Sequence, residues 1–398
     1  RLRSYMPVGI DDISFYTANF SLDLQELAAN NGSDAAKYTV GIGQERMSVP
    51  GADEDVVTMA ANACVPLLEG MAQRGEGTNA INTILFATET GIDQSKAAGV
   101  YLHSLLKLNP RCRVVELKQA CYSATAALQL ATAWVARKPQ EKVLVVASDI
   151  ARYDRQTPGE ATQGCGAVAM IVSANPRLVA LDPETGIHTE DVMDFWRPNY
   201  RSTALVDGKY STKVYLRCVR SAWQDFQQQS QLQFGNFDYF CYHLPFSRMA
   251  QKAHNHLANG NAHELSAQAL EDQISSSLIY NRITGNSYTA AIYIGLISLL
   301  DNTALDLAGK RVGFFSYGSG SVGEFFTGTL VDGYQSMLHS EGHQSMLASR
   351  KPLNYAEYQT MYGFEVPVDG GDHAFAEQTN GKFRLAGISQ HKRLYEAR

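Results

Sequence analysis

Hydrophobic and polar positions divide the chain into short apolar runs and longer helical stretches that follow one another. The apolar runs have strand length, and in the first part of the chain they lie at 83–88, 114–117, 142–148 and 167–173. The stretches with helical periodicity lie before and between them, at 56–72, 95–108 and 123–137. Short, continuously apolar strands are typical of sheets covered on both faces. Their alternation with helices predicts an α/β fold with a mainly parallel sheet.

The same pattern restarts after Pro176, with strands predicted at 178–181, 239–243 and 312–317. Two short strings of the first half also recur in the second half, in the same order. Thr125-Ala-Ala-Leu-Gln-Leu130 is similar to Thr289-Ala-Ala-Ile-Tyr-Ile294, and Gly164-Cys-Gly-Ala-Val168 is similar to Gly318-Ser-Gly-Ser-Val322. We therefore predict two duplicated α/β halves, residues 6–175 and 176–398, with a site between them.

Composition narrows the class of protein. The 398 residues exceed the roughly 250–300 that one hydrophobic core usually serves, which agrees with two halves. A net charge of −6 argues against a nucleic-acid partner, and no apolar run reaches the roughly 18 residues that a membrane span needs. The six cysteines form no Cys-x-x-Cys pair, which favours free thiols and a cytoplasmic location. We expect Met6 to be the natural start.

Cys121 is the strongest candidate for a nucleophile. It lies between a predicted strand and the helix 123–137, where a helix N-terminus offers free N–H groups and partial positive charge. That environment favours a thiolate, the reactive form of cysteine. The alternative is a small buried side chain with no chemical role.

Three other polar side chains and a glycine turn lie at comparable junctions. Glu89 follows an apolar strand, where burial would raise its pKa and make it a usable base, although a solvated strand end is the commoner case. His243 ends another strand and is either a structural group or an acid–base catalyst. Asn286 could cap the next helix or donate its amide to a carbonyl. The turn 318–320 could bring backbone N–H groups to a ligand. Together they form a set suited to acyl transfer.

No group of His, Cys and Asp has metal-ligand spacing, so we predict no metal. His254 and His256 lie in a polar segment and are expected to be solvated.

Seven motifs resemble hydroxymethylglutaryl-CoA synthases, and the bacterial form is the more similar one. The resemblance runs from about Met6 into the C-terminal tail. The motifs span 89–93, 120–126, 149–153, 162–169, 194–198, 206–208 and 314–320. This resemblance implies a thiolase-like fold, in which two similar halves form a five-layer α-β-α-β-α sandwich, and a homodimer. It also implies condensation of acetyl-CoA with acetoacetyl-CoA and water to 3-hydroxy-3-methylglutaryl-CoA in the mevalonate pathway, with CoA thioesters as substrates and no cofactor.

The resemblance also implies roles for single residues. Cys121 would carry the acetyl group, Glu89 would deprotonate its methyl, and His243 would position acetoacetyl-CoA. Asn286 would assist at the thioester carbonyl, and the N–H groups of Cys121 and Ser319 would bind the oxyanion. The further positions implied to bind substrate are Tyr153, Thr162, Phe195, Ser211, Arg248 and Lys252. Arg248 departs from the family's lysine but keeps the charge.

Two alternatives stay open at this point. A condensing enzyme similar to ketoacyl synthase III also uses Cys, His and Asn, but Glu89 and the segment 194–198 argue against it. A catalytically silent CoA-binding protein could retain the same fold.

Overall fold

The computed structural model describes residues 5–262 and 264–398, so most of the segment before Met6 lies outside the described residues. The strands are β1 (Val8–Tyr16), β2 (Phe20–Asp23), β3 (Arg46–Val49), β4 (Ile81–Ala87), β5 (Arg113–Leu117), β6 (Lys142–Ile150), β7 (Cys165–Ala174), β8 (Val179–Leu181), β9 (Gly186–Thr189), β10 (Phe195–Trp196), β11 (Leu205–Val206), β12 (Tyr239–Tyr242), β13 (Arg311–Gly318), β14 (Val322–Leu330), β15 (Lys351–Pro352), β16 (His373–Ala374), β17 (Phe383–Ser389) and β18 (Lys392–Ala397). The α-helices are α1 (Leu24–Asn31), α2 (Val56–Gln73), α3 (Ala98–Leu105), α4 (Ser123–Arg137), α5 (Gly208–Ser230), α6 (Met249–Ala258), α7 (Ala267–Asp272), α8 (Ile279–Thr284), α9 (Ala291–Asn302), α10 (Ser340–Ala348) and α11 (Tyr355–Tyr362).

Alternating side chains of the strands face two different cores. On β6, Val143 and Val145 belong to a central core that also contains α4 and α9, whereas Leu144 and Val146 face α2 and α3. On β13, Phe314 faces the central core, and Phe315 faces an outer core built with α5 and α6. The molecule therefore has five layers, with α4 and α9 in the middle, as predicted.

The two sheet layers are joined by hydrogen bonds into one continuous sheet. Hydrogen bonds connect the strands in the order β12-β13-β14-β8-β1-β7-β6-β4-β5. The strands that precede Ala174 lie on one side of the contact between β8 and β1, and those that follow Val179 lie on the other. The division at 175/176 stays a prediction.

The expectation of a mainly parallel sheet is wrong. β4 pairs in parallel with β5 and β6, but β7 runs antiparallel to β1 and β6, and β14 runs antiparallel to β13. The reason is that no helical crossover follows β6 or β13. A tight turn at 319–321 joins β13 directly to β14, and such a turn can only connect antiparallel strands.

The two repeated strings occupy equivalent places. The first string opens α4 in one half and leads into α9 in the other, and these helices contact each other, since Thr125 Oγ1 lies 2.6 Å from the Tyr293 hydroxyl. The second string leads into β7 and into β14. A hydrogen bond also connects α4 to the second half, because the Ala124 N–H donates to Thr289 Oγ1 at 2.8 Å.

Candidate active site

Cys121 lies immediately before α4, in the turn that follows β5. The helix packs between the sheets through buried positions such as Ala124, Leu128 and Ala131, and this packing fixes the position of the turn. The thiol is 6 % exposed, and its Sγ donates to Glu89 Oε1 over 3.4 Å. Two residues predicted separately from the sequence are thereby in contact.

Asp149 fixes the segment that carries Glu89. It ends the buried part of β6 and is fully buried. Its Oδ1 accepts from the Glu89 N–H at 2.8 Å, and from Thr88 Oγ1 and Thr90 Oγ1, each at 2.8 Å. Its Oδ2 accepts from the N–H of Thr289 at 3.2 Å, so both halves of the chain contribute to this position.

Burial raises the pKa of Glu89 to about 8, with the Asp149 carboxylate adding to the effect and Arg197 opposing it. Arg197 donates from Nη2 to the Glu89 carbonyl oxygen. Burial also raises the pKa of Asp149, to about 6. A carboxyl group with a pKa near neutrality can both accept and return a proton at working pH, which suits a general base.

The expectation that Cys121 rests as a thiolate is wrong. Burial, and then the negative charges of Glu89 and Asp149, raise the pKa of the thiol well above its ordinary value. The partial charge of one helix N-terminus is worth about 0.3–1 kcal/mol, which does not offset desolvation next to two carboxyl groups. Cys121 therefore rests as a thiol with Glu89 as its proton acceptor.

His243 follows β12, beside the carboxyl end of β13. Its backbone N–H donates to the Phe315 carbonyl at 2.8 Å, and its own carbonyl accepts from the Tyr215 hydroxyl at 2.9 Å. Burial lowers the pKa of the imidazole to about 3. Its Nδ1 is enclosed and makes no hydrogen bond among the described residues. The other ring nitrogen, Nε2, is not enclosed in this way, and on a neutral imidazole it can bind a substrate carbonyl or hydroxyl.

Asn286 caps its turn through its side-chain oxygen, and its amide group faces the Tyr153 hydroxyl. Its Oδ1 accepts from the Tyr288 N–H at 2.8 Å, and its backbone N–H donates to the Thr162 carbonyl at 3.0 Å. The capping role and the substrate role predicted as alternatives are thus compatible. Thr162 lies in this contact, with its hydroxyl directed to the Gly159 carbonyl at 2.7 Å.

The glycine turn after β13 lies close to the turn that carries Cys121. A Cβ on Gly318 would come within 2.5 Å of the Gln119 carbonyl oxygen, so only glycine allows this approach. The Ser319 carbonyl accepts from Gln119 Nε2 at 3.0 Å. This places the backbone of Ser319 beside the turn that carries Cys121.

Asp194 holds the other side of the same turn. This buried carboxylate accepts from the Gly320 N–H at 2.9 Å, from the Tyr317 hydroxyl at 2.8 Å and from Ser211 Oγ at 3.0 Å. The hydroxyl of Ser211 is therefore occupied in this structure, and its first contact is with Asp194.

Three aromatic rings surround the thiol. Phe195 lies edge-on to Tyr288 at 5.7 Å and to Tyr153 at 6.2 Å between ring centroids, and all three belong to one buried cluster with Cys121. The backbone N–H of Tyr153 donates to Gln163 Oε1 at 2.9 Å. The rings shield the sulfur from bulk water, since Cys121 is 6 % exposed.

Arg248 and Lys252 lie apart from this buried set. Both are exposed at the start of α6, and Lys252 Nζ lies 5.3 Å from the centre of the Phe246 ring. Neither forms an ion pair with any residue that the structure describes. They are free to bind an anionic group from solution.

Asp149, Asp194 and Arg197 were missed as functional residues. Asp149 carries the signal that drew attention to Glu89, a carboxylate directly after an apolar strand. Asp194 and Arg197 lie in the motif 194–198, but their individual roles were not predicted, because their partners are distant in sequence.

His254 is not solvated as expected. It is buried, and its ring forms hydrogen bonds with the Tyr242 hydroxyl and with Gln273, each at 2.8 Å.

Among residues 5–262 and 264–398, no group of three or more His, Cys, Asp or Glu side chains is placed to hold a metal ion. All six cysteines are free, as predicted. No helix in the described part of the chain is long and apolar enough to cross a membrane.

A cysteine thiol paired with a carboxyl group at the central helix of a five-layer, thiolase-like fold defines a condensing enzyme of the acyltransferase class. Comparison with known families narrows this class. The profile for the N-terminal part of hydroxymethylglutaryl-coenzyme A synthase matches residues 5–177, and the profile for the C-terminal part matches 179–261 and 254–365. The chain belongs to the hydroxymethylglutaryl-CoA synthase family.

Single relatives support this assignment. A hydroxymethylglutaryl-CoA synthase of Enterococcus faecalis is 42% identical over 98% of this chain and 100% of its own length. A crystal structure of a hydroxymethylglutaryl-CoA synthase complexed with CoA superposes with a TM-score of 0.91, at 39% identity, covering 99% of this chain and 100% of that one. A 3-hydroxy-3-methylglutaryl-ACP synthase of polyketide biosynthesis in Bacillus subtilis is 32% identical over 89% of this chain and 87% of its own length.

Proposed function

We propose that this protein condenses acetyl-CoA with acetoacetyl-CoA and water to 3-hydroxy-3-methylglutaryl-CoA and CoA, as a step of the mevalonate pathway, through an acetyl group on Cys121. The observation that carries the mechanism is the 3.4 Å contact between the Cys121 thiol and Glu89, whose pKa burial raises to about 8. The contact gives the thiol an acceptor for its proton and gives the acetyl group a base at its methyl end.

In the first step the Cys121 sulfur attacks the carbonyl carbon of acetyl-CoA. The thiol proton passes to Glu89, the thioester bond to CoA breaks, and Glu89 returns the proton to the leaving thiolate. The N–H groups of Cys121 and Ser319 stabilise the oxyanion of the tetrahedral intermediate. Glu89 is then ionised again, and the products are acetyl-Cys121 and CoA.

In the second step Glu89 removes a proton from the acetyl methyl group, and the resulting carbanion attacks the ketone carbon of acetoacetyl-CoA. Neutral His243 binds this substrate through Nε2, while Asn286 donates to the thioester carbonyl. The proton returns to the new alkoxide. Water then hydrolyses the bond to Cys121, which releases the carboxylate product and restores the thiol.

We assign the CoA phosphates to Arg248 and Lys252, and the acyl channel to Tyr153, Thr162, Phe195 and Ser211. The exposed, unpaired cations on α6 favour CoA as the carrier. Acetyl groups on an acyl carrier protein are the alternative, because the Bacillus relative is an ACP synthase. Kinetics with both donors decide between them: CoA as carrier requires a higher kcat/KM for acetyl-CoA than for acetyl-ACP.

Mass spectrometry tests the mechanism directly. Acetyl-CoA should add one acetyl group, which peptide mapping should place on Cys121, and acetoacetyl-CoA should then discharge it as hydroxymethylglutaryl-CoA. An adduct that acetoacetyl-CoA cannot discharge would indicate another condensing enzyme. Absence of any adduct would contradict the acyl-enzyme.

We also propose a cytoplasmic homodimer that uses no cofactor. β5 is the last strand of the sheet, and among the described residues it pairs only with β4. Its other edge is therefore open within the described chain, and Val115 on β5 is 43 % exposed. A second copy can add its own β5 there. Light scattering on the purified protein should give twice the chain mass, and replacement of Val114 by Pro on this edge should give monomers.

A further inference from the structure

A second cavity lies outside the site described above, at the carboxyl end of β1. Its volume is about 350 Å³, and α2, α10 and the segment before β17 line it. Phe15, Pro66 and Met346 form an apolar part, and Asn19 and Asn380 lie in a polar part. Cavities of about 300–1,000 Å³ with mixed lining are the usual size for small-molecule sites.

Arg350 lines this cavity and is only 8 % exposed. Its Nε donates to the Leu347 carbonyl at 3.2 Å, and its Nη1 donates to Ser48 Oγ at 2.9 Å and to the Ile283 carbonyl at 2.7 Å. These contacts hold the guanidinium in one orientation. Its Nη2 donates to none of the described residues, yet retains accessible surface.

No carboxylate of the described chain neutralises this charge. The lining of the cavity contains Arg350 and the exposed Lys382 but no Asp or Glu. Burial, together with the like charge of Arg46, lowers the pKa of Arg350 to about 10. A buried cation without an anion is unfavourable, and the partial negative charge of the α10 C-terminus at Leu347 compensates only part of the cost.

We propose that this cavity is a binding site for a small organic anion, with Arg350 as the buried ligand of its phosphate or carboxylate group. Nη2 supplies the free donor, Lys382 adds charge at the rim, and the wall of Phe15, Pro66 and Met346 receives an apolar body. The site is separate from the acyl-transfer site, since none of Glu89, Cys121 and His243 lines it. Its guanidinium holds the Ile283 carbonyl, three residues before Asn286.

Ligand-observed NMR and calorimetry test this site with phenyl phosphate and benzoate as probes and benzyl alcohol as the neutral control. The protein is saturated with CoA, which occupies the acyl-transfer site. We expect binding of at least one anion and none of the alcohol. The two anions distinguish a phosphate from a carboxylate site.

Two variants locate the binding. R350M keeps an unbranched side chain and removes the guanidinium with its charge, so affinity should fall at least about tenfold. S345E leaves Arg350 in place and introduces a carboxylate into the lining, which should compete with the probe and lower its affinity equally. R137M removes a charge from the exposed end of α4 and is the matched control, in which affinity should not change.

Three results would overturn the proposal. One is binding that is detected in a parallel sample without CoA but not in the CoA-saturated protein, since the anion would then occupy the acyl-transfer site. Another is binding that R350M and S345E leave unchanged. The third is failure of both anions to bind, or equal binding of benzyl alcohol, which would make the cavity merely apolar.

Discussion

Replacing Glu89 by Gln separates the two chemical steps. Gln is isosteric and keeps an oxygen at the position of Oε1, which accepts from the Cys121 thiol over 3.4 Å. The variant loses only the ability to take up a proton. A thioester methyl is a far weaker acid than a thiol, so condensation depends on the base much more than acetylation does.

The magnitude follows from the pKa of Glu89. With a value of about 8, roughly one tenth of the group is ionised at pH 7 and roughly nine tenths at pH 9. The condensation rate of wild-type acetyl-enzyme should therefore rise with pH over this interval, since a base acts in its ionised form. General-base catalysis typically contributes 10²–10⁴-fold, about 3–5 kcal/mol, so E89Q should lose that factor and the pH dependence together.

Rapid-quench measurement of single turnovers checks both expectations. The enzyme is first acetylated with acetyl-CoA and examined by intact mass, and acetoacetyl-CoA is then added at pH 7, 8 and 9. E89Q should acetylate more slowly but to completion, and its condensation should be slow at each pH. Condensation of E89Q at the wild-type rate would refute Glu89 as the base, and a wild-type rate independent of pH would refute its raised pKa.

Three further predictions follow from other parts of the site. The double variant R248Q/K252Q should raise the Kd for CoA at least tenfold but leave that for pantetheine unchanged, as measured by calorimetry; equal losses for both ligands would contradict the phosphate assignment. G318A should abolish acetylation by acetyl-CoA, because the new Cβ would meet backbone at 2.5 Å, whereas G208A, whose Cβ would meet nothing within 4 Å, should acetylate normally. Burial lowers the pKa of His243 to about 3, so the pH profile of condensation should show no inflection near 6.5; an inflection that disappears in H243Q would show that this imidazole titrates.

Local pattern predicted most of the framework. Helix α4 has the predicted bounds because its apolar residues repeat with helical spacing, and β4, β6 and β13 agree with the predictions within two residues or so. The direction of β7 and β14 could not be predicted in this way, because an apolar run carries no information about the direction of its neighbour.

The candidate site was predicted residue by residue but not in its electrostatics. Cys121 and Glu89 each follow a predicted strand, and neither position alone indicated that the two side chains would be in contact. The prediction that Cys121 rests as a thiolate was wrong. The pKa of the thiol depends on Asp149 and on burial by the rings of residues 153, 195 and 288, which are distant in sequence. The resemblance of the motifs identified the positions of the site residues. Their pKa values, however, depend on the charged groups that the complete fold brings next to them.

The enclosed thiol has a consequence for how the resting enzyme meets reagents. Oxidants and alkylating agents attack the thiolate, and Cys121 is 6 % exposed with a raised pKa, so peroxide or iodoacetamide should react with it slowly. Cys112, which alone among the six is partly exposed, should react before it. Burial and the neighbouring carboxyl groups thus protect the nucleophile of the resting enzyme from reagents that attack a thiolate.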